Sequence, residues 1–179
     1  LAGGTTLSKH TSELKDKVRL EVDRLKDKLL SVSDAMYSEP EIGLQEFKSS
    51  AKLVDLLKSA GFTVETGLAD MPTSFKAVKK GKSGGPTLAI LAEYDALPEI
   101  GHGCGHNIIG TAATGAGMAL ASVMDDVQGT LIVFGSPAEE GAVDGAGPSV
   151  GQVRSSVGAP AGDEVGGQGG RLAVVEPNP

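Results

Sequence analysis

Two of the chain's three histidines and its only cysteine fall within five residues, in the run Gly101-His102-Gly103-Cys104-Gly105-His106-Asn107. Glycine carries no Cβ, so a loop in which it alternates with Cys and His can turn two or three ligating groups toward one point. Thiolate and imidazole together favour zinc or a similar borderline ion over magnesium or calcium. The rival chemistry for the same run is a cysteine hydrolase, because a thiolate beside imidazole attacks carbonyl groups.

Carboxylates weigh against that rival. The segment Gly135-Ser136-Pro137-Ala138-Glu139-Glu140-Gly141 holds two adjacent glutamates, so one carboxylate can ligate a metal while the other takes a proton from water. A cysteine mechanism needs no such pair. A further acidic segment, Glu93-Tyr94-Asp95-Ala96-Leu97-Pro98, follows an apolar run. Each acidic segment alone reads as solvated surface, and the Cys/His loop is what makes them candidates for a metal site.

The flanking pattern supplies elements to position these groups. Leu14, Val18, Val22, Leu25, Leu29, Val32 and Met36 recur at three- and four-residue steps among charged residues, which predicts an amphipathic helix with Thr11 or Ser12 as its N-cap. Leu44, Phe47, Ala51, Val54 and Leu57 predict a second helix, ended by Gly61. Strands are predicted over 62–66, 74–78 and 87–92, with residues 80–86 as the turn between the last two. A helix rich in small residues is predicted over 107–124 and a buried, parallel-type strand over 130–134. This order implies an α/β sheet, and ligand sites in such sheets form beyond the carboxyl ends of strands, where both acidic segments fall. Gly81-Lys82-Ser83 is similar to the end of a phosphate-binding loop, but Lys76 stands where that motif needs glycine, and Pro86 follows instead of a helix.

Composition narrows the function classes. The chain has 179 residues and a net charge of -7, with acidic and basic residues interspersed through the first half, which argues against nucleic acid and anionic membranes as partners. Aromatics are 3% and Gly numbers 26, so the core is expected to rest on aliphatic side chains and close packing. One cysteine permits no internal disulfide, and without a secretory leader it points to a reducing, cytoplasmic compartment. The weakly polar stretch 108–124 is broken by Gly110, Thr111, Thr114, Gly115, Gly117 and Ser122, and is too short and too polar to span a membrane. Residues 1–11 are expected to form a flexible lead-in. From Ala142 onward the chain holds nine Gly and no aromatic residue, so residues 148–179 are expected to be an irregular or disordered tail.

In order and spacing, Ser38-Glu39-Pro40-Glu41-Ile42-Gly43, the Glu93 to Pro98 segment, the Cys/His run and Ser136 to Gly141 resemble the metallo-amidohydrolases that include aminoacylase, carboxypeptidase G and aminobenzoyl-glutamate hydrolase, peptidase family M20, in its dipeptidase branch. The resemblance covers residues 12–147, as the N-terminal part of a catalytic domain. It implies a zinc-exopeptidase-like α/β sheet with helices on both faces, incomplete and with no lid domain. By the same resemblance Cys104, His106 and Glu140 are metal ligands, Glu139 is the general base, and Asp95 is the catalytic-set member that supports the ligands. The implied cofactor is Zn2+, or another divalent transition ion such as Mn2+ or Co2+. The implied reaction is hydrolysis of the amide bond of a small N-acyl amino acid or dipeptide through metal-activated water. The chain departs from the family pattern in two respects, its ligands and its lid: family members carry further His ligands after the glutamate pair, whereas no His follows His106 here, and His10 matches no ligand position. The family's lid, which also pairs subunits into homodimers, is missing. A non-catalytic truncated fragment, or a metal-binding module without turnover, is therefore the alternative expectation.

Overall fold

The computed structural model describes residues 3–141 and 172–175. Three α-helices, α1 (Gly3–Ser38), α2 (Phe47–Ser59) and α3 (His106–Ala121), accompany five strands: β1 (Thr63–Thr66), β2 (Phe75–Lys80), β3 (Lys82–Glu93), β4 (Gln128–Ser136) and β5 (Leu172–Val175). The strands form one mixed sheet in the order β1-β2-β4-β3-β5. Among the described strands only the β3–β4 pair is parallel. It is linked through α3, as a parallel connection requires.

Alternation along the strands sorts their side chains onto two faces. One face presents Phe75, Ala77, Ile90, Ala92, Leu131 and Val133 to Leu25 and Met36 of α1, Leu53 and Leu57 of α2, and Ala113 and Met118 of α3. The other bears a smaller buried cluster of Ala89, Leu91 and Phe134. An α/β sheet is thus present as expected, but the three helices all join the first cluster and none the second, so among the described residues helices cover one face, not both.

Element boundaries depart from the sequence pattern in several places. Helix α1 begins at Gly3, so residues 3–11 are helical instead of a loose lead-in and neither Thr11 nor Ser12 caps it. No Gly or Pro interrupts residues 5–38, and a helix once formed extends at one hydrogen bond per residue. Helix α2 excludes Leu44, whose φ of 64° is left-handed. The expected turn over 80–86 shrinks to a reversal at Gly81; β3 already starts at Lys82 and carries an irregularity between Lys82 and Thr87. Helix α3 stops at Ala121, and Met124–Asp126 form a separate 3-10 turn. Of the expected tail, Leu172–Val175 pair antiparallel with β3, while residues 148–171 and 176–179 lie outside the described residues. Among the described residues no helix is long and apolar enough to cross a membrane.

Candidate metal centre

Because β3 and β4 run parallel, with Glu93 opposite Ser136, the chain leaves the sheet twice at the same end. Helix α3 begins at this end. Its Gly110 lies so close to β3 that a Cβ there would meet the Glu93 carbonyl oxygen at 2.5 Å. After β3, Tyr94 is fully buried and stacks on Phe75 with ring centroids 5.8 Å apart. This anchors the segment and leaves the Asp95 carboxylate entirely inside the protein.

Asp95 organises two of the three clusters. His106 Nδ1 lies 2.8 Å from Asp95 Oδ1 and 3.1 Å from the Asp95 carbonyl. Both neighbours are acceptors, so Nδ1 carries the hydrogen and Nε2 is directed elsewhere. The other carboxylate oxygen, Oδ2, accepts the Glu140 backbone N–H at 3.0 Å. Gly105, at φ 85°, takes the left-handed turn between Cys104 and His106, and the Cys104 thiol points to the Asp95 carbonyl at 3.7 Å.

Nε2 of His106 faces three carboxylates, with Glu139 Oε2 at 3.6 Å, Glu93 Oε2 at 3.7 Å and Glu140 Oε1 at 3.8 Å. Glu139 and Glu140 occupy the middle of a turn closed by the Gly141 N–H to the Ala138 carbonyl. Donor atoms of Cys104, His106 and Glu140 all lie within 4.8 Å of one another, as do those of Glu93, His106 and Glu139. A ring nitrogen facing several carboxylates is a repulsive arrangement unless a proton or a cation lies between them. An ion with bonds of about 2 Å reaches donors at such separations, and a thiol, imidazole and carboxylate set suits a zinc-type ion. The residues present therefore fit the metal that the sequence implied.

The titration behaviour is consistent with this. Burial pulls the His106 imidazole down, but the hydrogen bond to Asp95 and the charges of Asp95, Glu93 and Glu139 outweigh it and hold the group above its ordinary value. Burial pushes the Cys104 thiol up, and the charges of Glu140 and Asp95 add to the effect. An isolated nucleophilic cysteine needs the opposite shift, so this setting disfavours the cysteine-hydrolase chemistry.

All five residues singled out from sequence, Asp95, Cys104, His106, Glu139 and Glu140, are brought together. His102 is not in either donor group; its ring is buried, and burial, followed by the charge of His106, lowers its pKa. His10 lies exposed on α1, away from the site. Sequence reasoning placed Glu93, which ends an otherwise apolar strand, in a candidate acidic segment but gave it no role, and it did not select Glu46, a buried carboxylate at the start of α2. The parity of Glu93 with Ala89 and Leu91 was a usable signal for burial; for Glu46 there was none.

No family model matches the chain. One subunit of the p-aminobenzoyl-glutamate hydrolase of Escherichia coli (strain K12) is 35% identical over 141 residues, covering 68% of this chain and 28% of that protein. The Xaa-Arg dipeptidase of Mus musculus is 31% identical over 150 residues, covering 76% of this chain and 35% of the dipeptidase. Among solved structures, the Bacillus subtilis YXEP protein, a dinuclear metal-binding peptidase from the M20 family, matches with a TM-score of 0.60 at 25% identity, over 66% of this chain and 36% of that one. The chain thus spans 28% and 35% of the length of these two curated relatives.

Proposed function

We infer that this chain, a member of the M20 metallo-amidohydrolase family over the part it shares with its relatives, carries the water-activating half of a hydrolase acting on the amide bond of small N-acyl amino acids or dipeptides. Residues 12–147 would form the N-terminal part of its catalytic domain. One observation carries the reading: a single imidazole nitrogen, oriented by Asp95, faces Glu139 and Glu140 at 3.6 and 3.8 Å with the Cys104 thiol in the same group.

Cys104, His106 and Glu140 would hold the ion. A zinc-type ion, when bound, supplies Lewis acidity to water and to the scissile carbonyl. Glu139 is the free carboxylate beside this set and acts as the base, taking a proton from the attacking water and handing it to the departing amine. Asp95 keeps Nδ1 of His106 protonated, so Nε2 is the nitrogen left to ligate, and ties the Glu140 backbone to the same carboxylate. The single thiol suits a cytoplasmic, reducing location.

A second reading has its own observation. Among the described residues His10 and His102 lie outside the donor groups, so the three named ligands by themselves hold one ion without supporting turnover.

Elemental analysis of purified protein, beside a Cys104→Ser/His106→Ala variant, tests the first reading. We expect about one zinc per chain in the parent, as a three-ligand site implies, and none in the variant. Hydrolysis of N-acyl amino acids should stop with a chelator and return with zinc; hydrolysis that survives chelation would refute the metal mechanism. Bound zinc with no hydrolysis selects the second reading.

A further inference from the structure

The turn carrying Glu139 and Glu140 is held from an unexpected direction. Glu46 is completely buried at the start of α2. Its Oε1 accepts the backbone N–H of Ala138 at 2.8 Å, across 92 positions of sequence, and its Oε2 accepts the Thr73 hydroxyl at 2.8 Å. The Thr73 carbonyl is in turn fixed by the Ser50 hydroxyl at 2.6 Å and the Tyr94 phenol at 2.7 Å. One carboxylate therefore joins the entry of β2, the exit of β4 and the first turn of α2, and Tyr94 ties in the exit of β3.

We propose that Glu46 is a positioning residue whose buried carboxylate holds the turn at Ala138 in the conformation that directs Glu139 and Glu140 toward His106. The proposal rests on the reading of those two glutamates as base and ligand. Two features show that the turn needs holding. Ala138 sits at φ 51°, a left-handed conformation that a non-glycine residue keeps only when its surroundings impose it. Ala138 is also buried beyond the last ladder position of β4, so its N–H has no strand to pair with and would be costly unpaired. Glu46 meets both needs. Backing it, Gly43 packs so tightly on the turn that a Cβ there would meet Ala138 Cβ and the Gly141 carbonyl oxygen, each at 2.9 Å. A carboxylate suits the position because its two oxygens accept from different elements at once, whereas an apolar side chain would fill the space and leave Ala138 and Thr73 unpaired.

The test uses the full chain with Glu46→Ala and Glu46→Gln, and Glu41→Ala as control. Glu41 accepts the backbone N–H groups of Lys48 and Ser49, so its loss weakens the start of α2 without touching Ala138. Two readouts are taken: hydrogen exchange at the amides of Ala138 to Gly141 without metal, and Co2+ titration followed by its thiolate and ligand-field absorption. Glu46→Ala should speed exchange at Ala138 by at least about tenfold and weaken Co2+ by roughly 10–100-fold with an altered spectrum. Glu46→Gln keeps an acceptor for Ala138 and can donate to Thr73, so it should restore both to within about threefold of the parent, as Glu41→Ala should leave them. Unchanged exchange at Ala138 in Glu46→Ala, or equal changes in Glu41→Ala, would overturn the proposal. Should Glu46→Ala not fold, Thr73→Val carries the same prediction, because it removes the hydroxyl that pins Oε2. If the parent binds no Co2+, the metal reading fails, and the exchange arm still decides whether Glu46 holds the turn.

Discussion

Asp95 serves two parts of the site at once: one oxygen sets the His106 tautomer and the other tethers the Glu140 backbone. Asp95→Ala removes both anchors while leaving all three proposed ligands in place. Zinc affinity, measured by competition with a coloured chelator, should fall by about 10–100-fold, the usual effect of removing a group that orients ligands; affinity equal to the parent's would mean that the ligands orient themselves. At this scale the sequence was readable where residue types are rare. Cys104 and His106 stand out because the chain has one Cys and three His. Glu46 and Glu93 do not, because glutamate is ordinarily a surface residue, and what buries these two is tertiary: Glu46 is defined by Ala138 and Thr73, Glu93 by His106.

At the scale of elements, the site depends on how closely α3 approaches the end of β3. The lever is Gly110, where an added Cβ would stand 2.5 Å from the Glu93 carbonyl oxygen and 3.3 Å from Leu53 Cδ1. In an exposed helix Gly→Ala gains about 0.5–1 kcal/mol. Here the backbone contact has to open, so Gly110→Ala should instead destabilise by about 1–3 kcal/mol, the cost of overpacking. It should also weaken zinc, because His106 lies one turn away on the displaced helix. Urea denaturation and zinc titration of Gly110→Ala against Ala116→Gly, on the exposed side of the helix, check this; a stable variant with parental zinc affinity would show that the approach does not position His106. The elements themselves were largely legible, since apolar periodicity marked α1 and α2, and continuous apolar runs marked β3 and β4. The sheet order was not. Local pattern specifies which residues face inward but not that β4 lies between β2 and β3; that depends on pairings between residues far apart in sequence, such as Ile132 with Val78 on one side and Ala89 on the other.

For the molecule as a whole, proton and metal compete at the point where charge is concentrated. The chain carries a net charge of -7, and four of its carboxylates, Glu93, Asp95, Glu139 and Glu140, converge on His106. Because the folded protein holds His106 above its ordinary value of 6.5, a bound proton stabilises the metal-free fold. That contribution is fully present below 6.5 and is lost as pH rises through the raised value. Metal binding runs the other way. It requires the imidazole and the Cys104 thiol without their protons, and both are held up in the fold, so affinity rises with pH. Zinc at one hundred times its dissociation constant adds about 2.7 kcal/mol of stability, or roughly 5–10 °C in melting temperature for a chain of this size. At a fixed zinc concentration the gain should be larger at pH 8 than at pH 6, and absent at both in Cys104→Ser/His106→Ala. Calorimetry with and without zinc at the two pH values measures it. A gain that is equal at pH 6 and pH 8 would mean that the ion sits on carboxylates alone, away from the imidazole and the thiol; a gain that persists in the double variant would carry the same meaning.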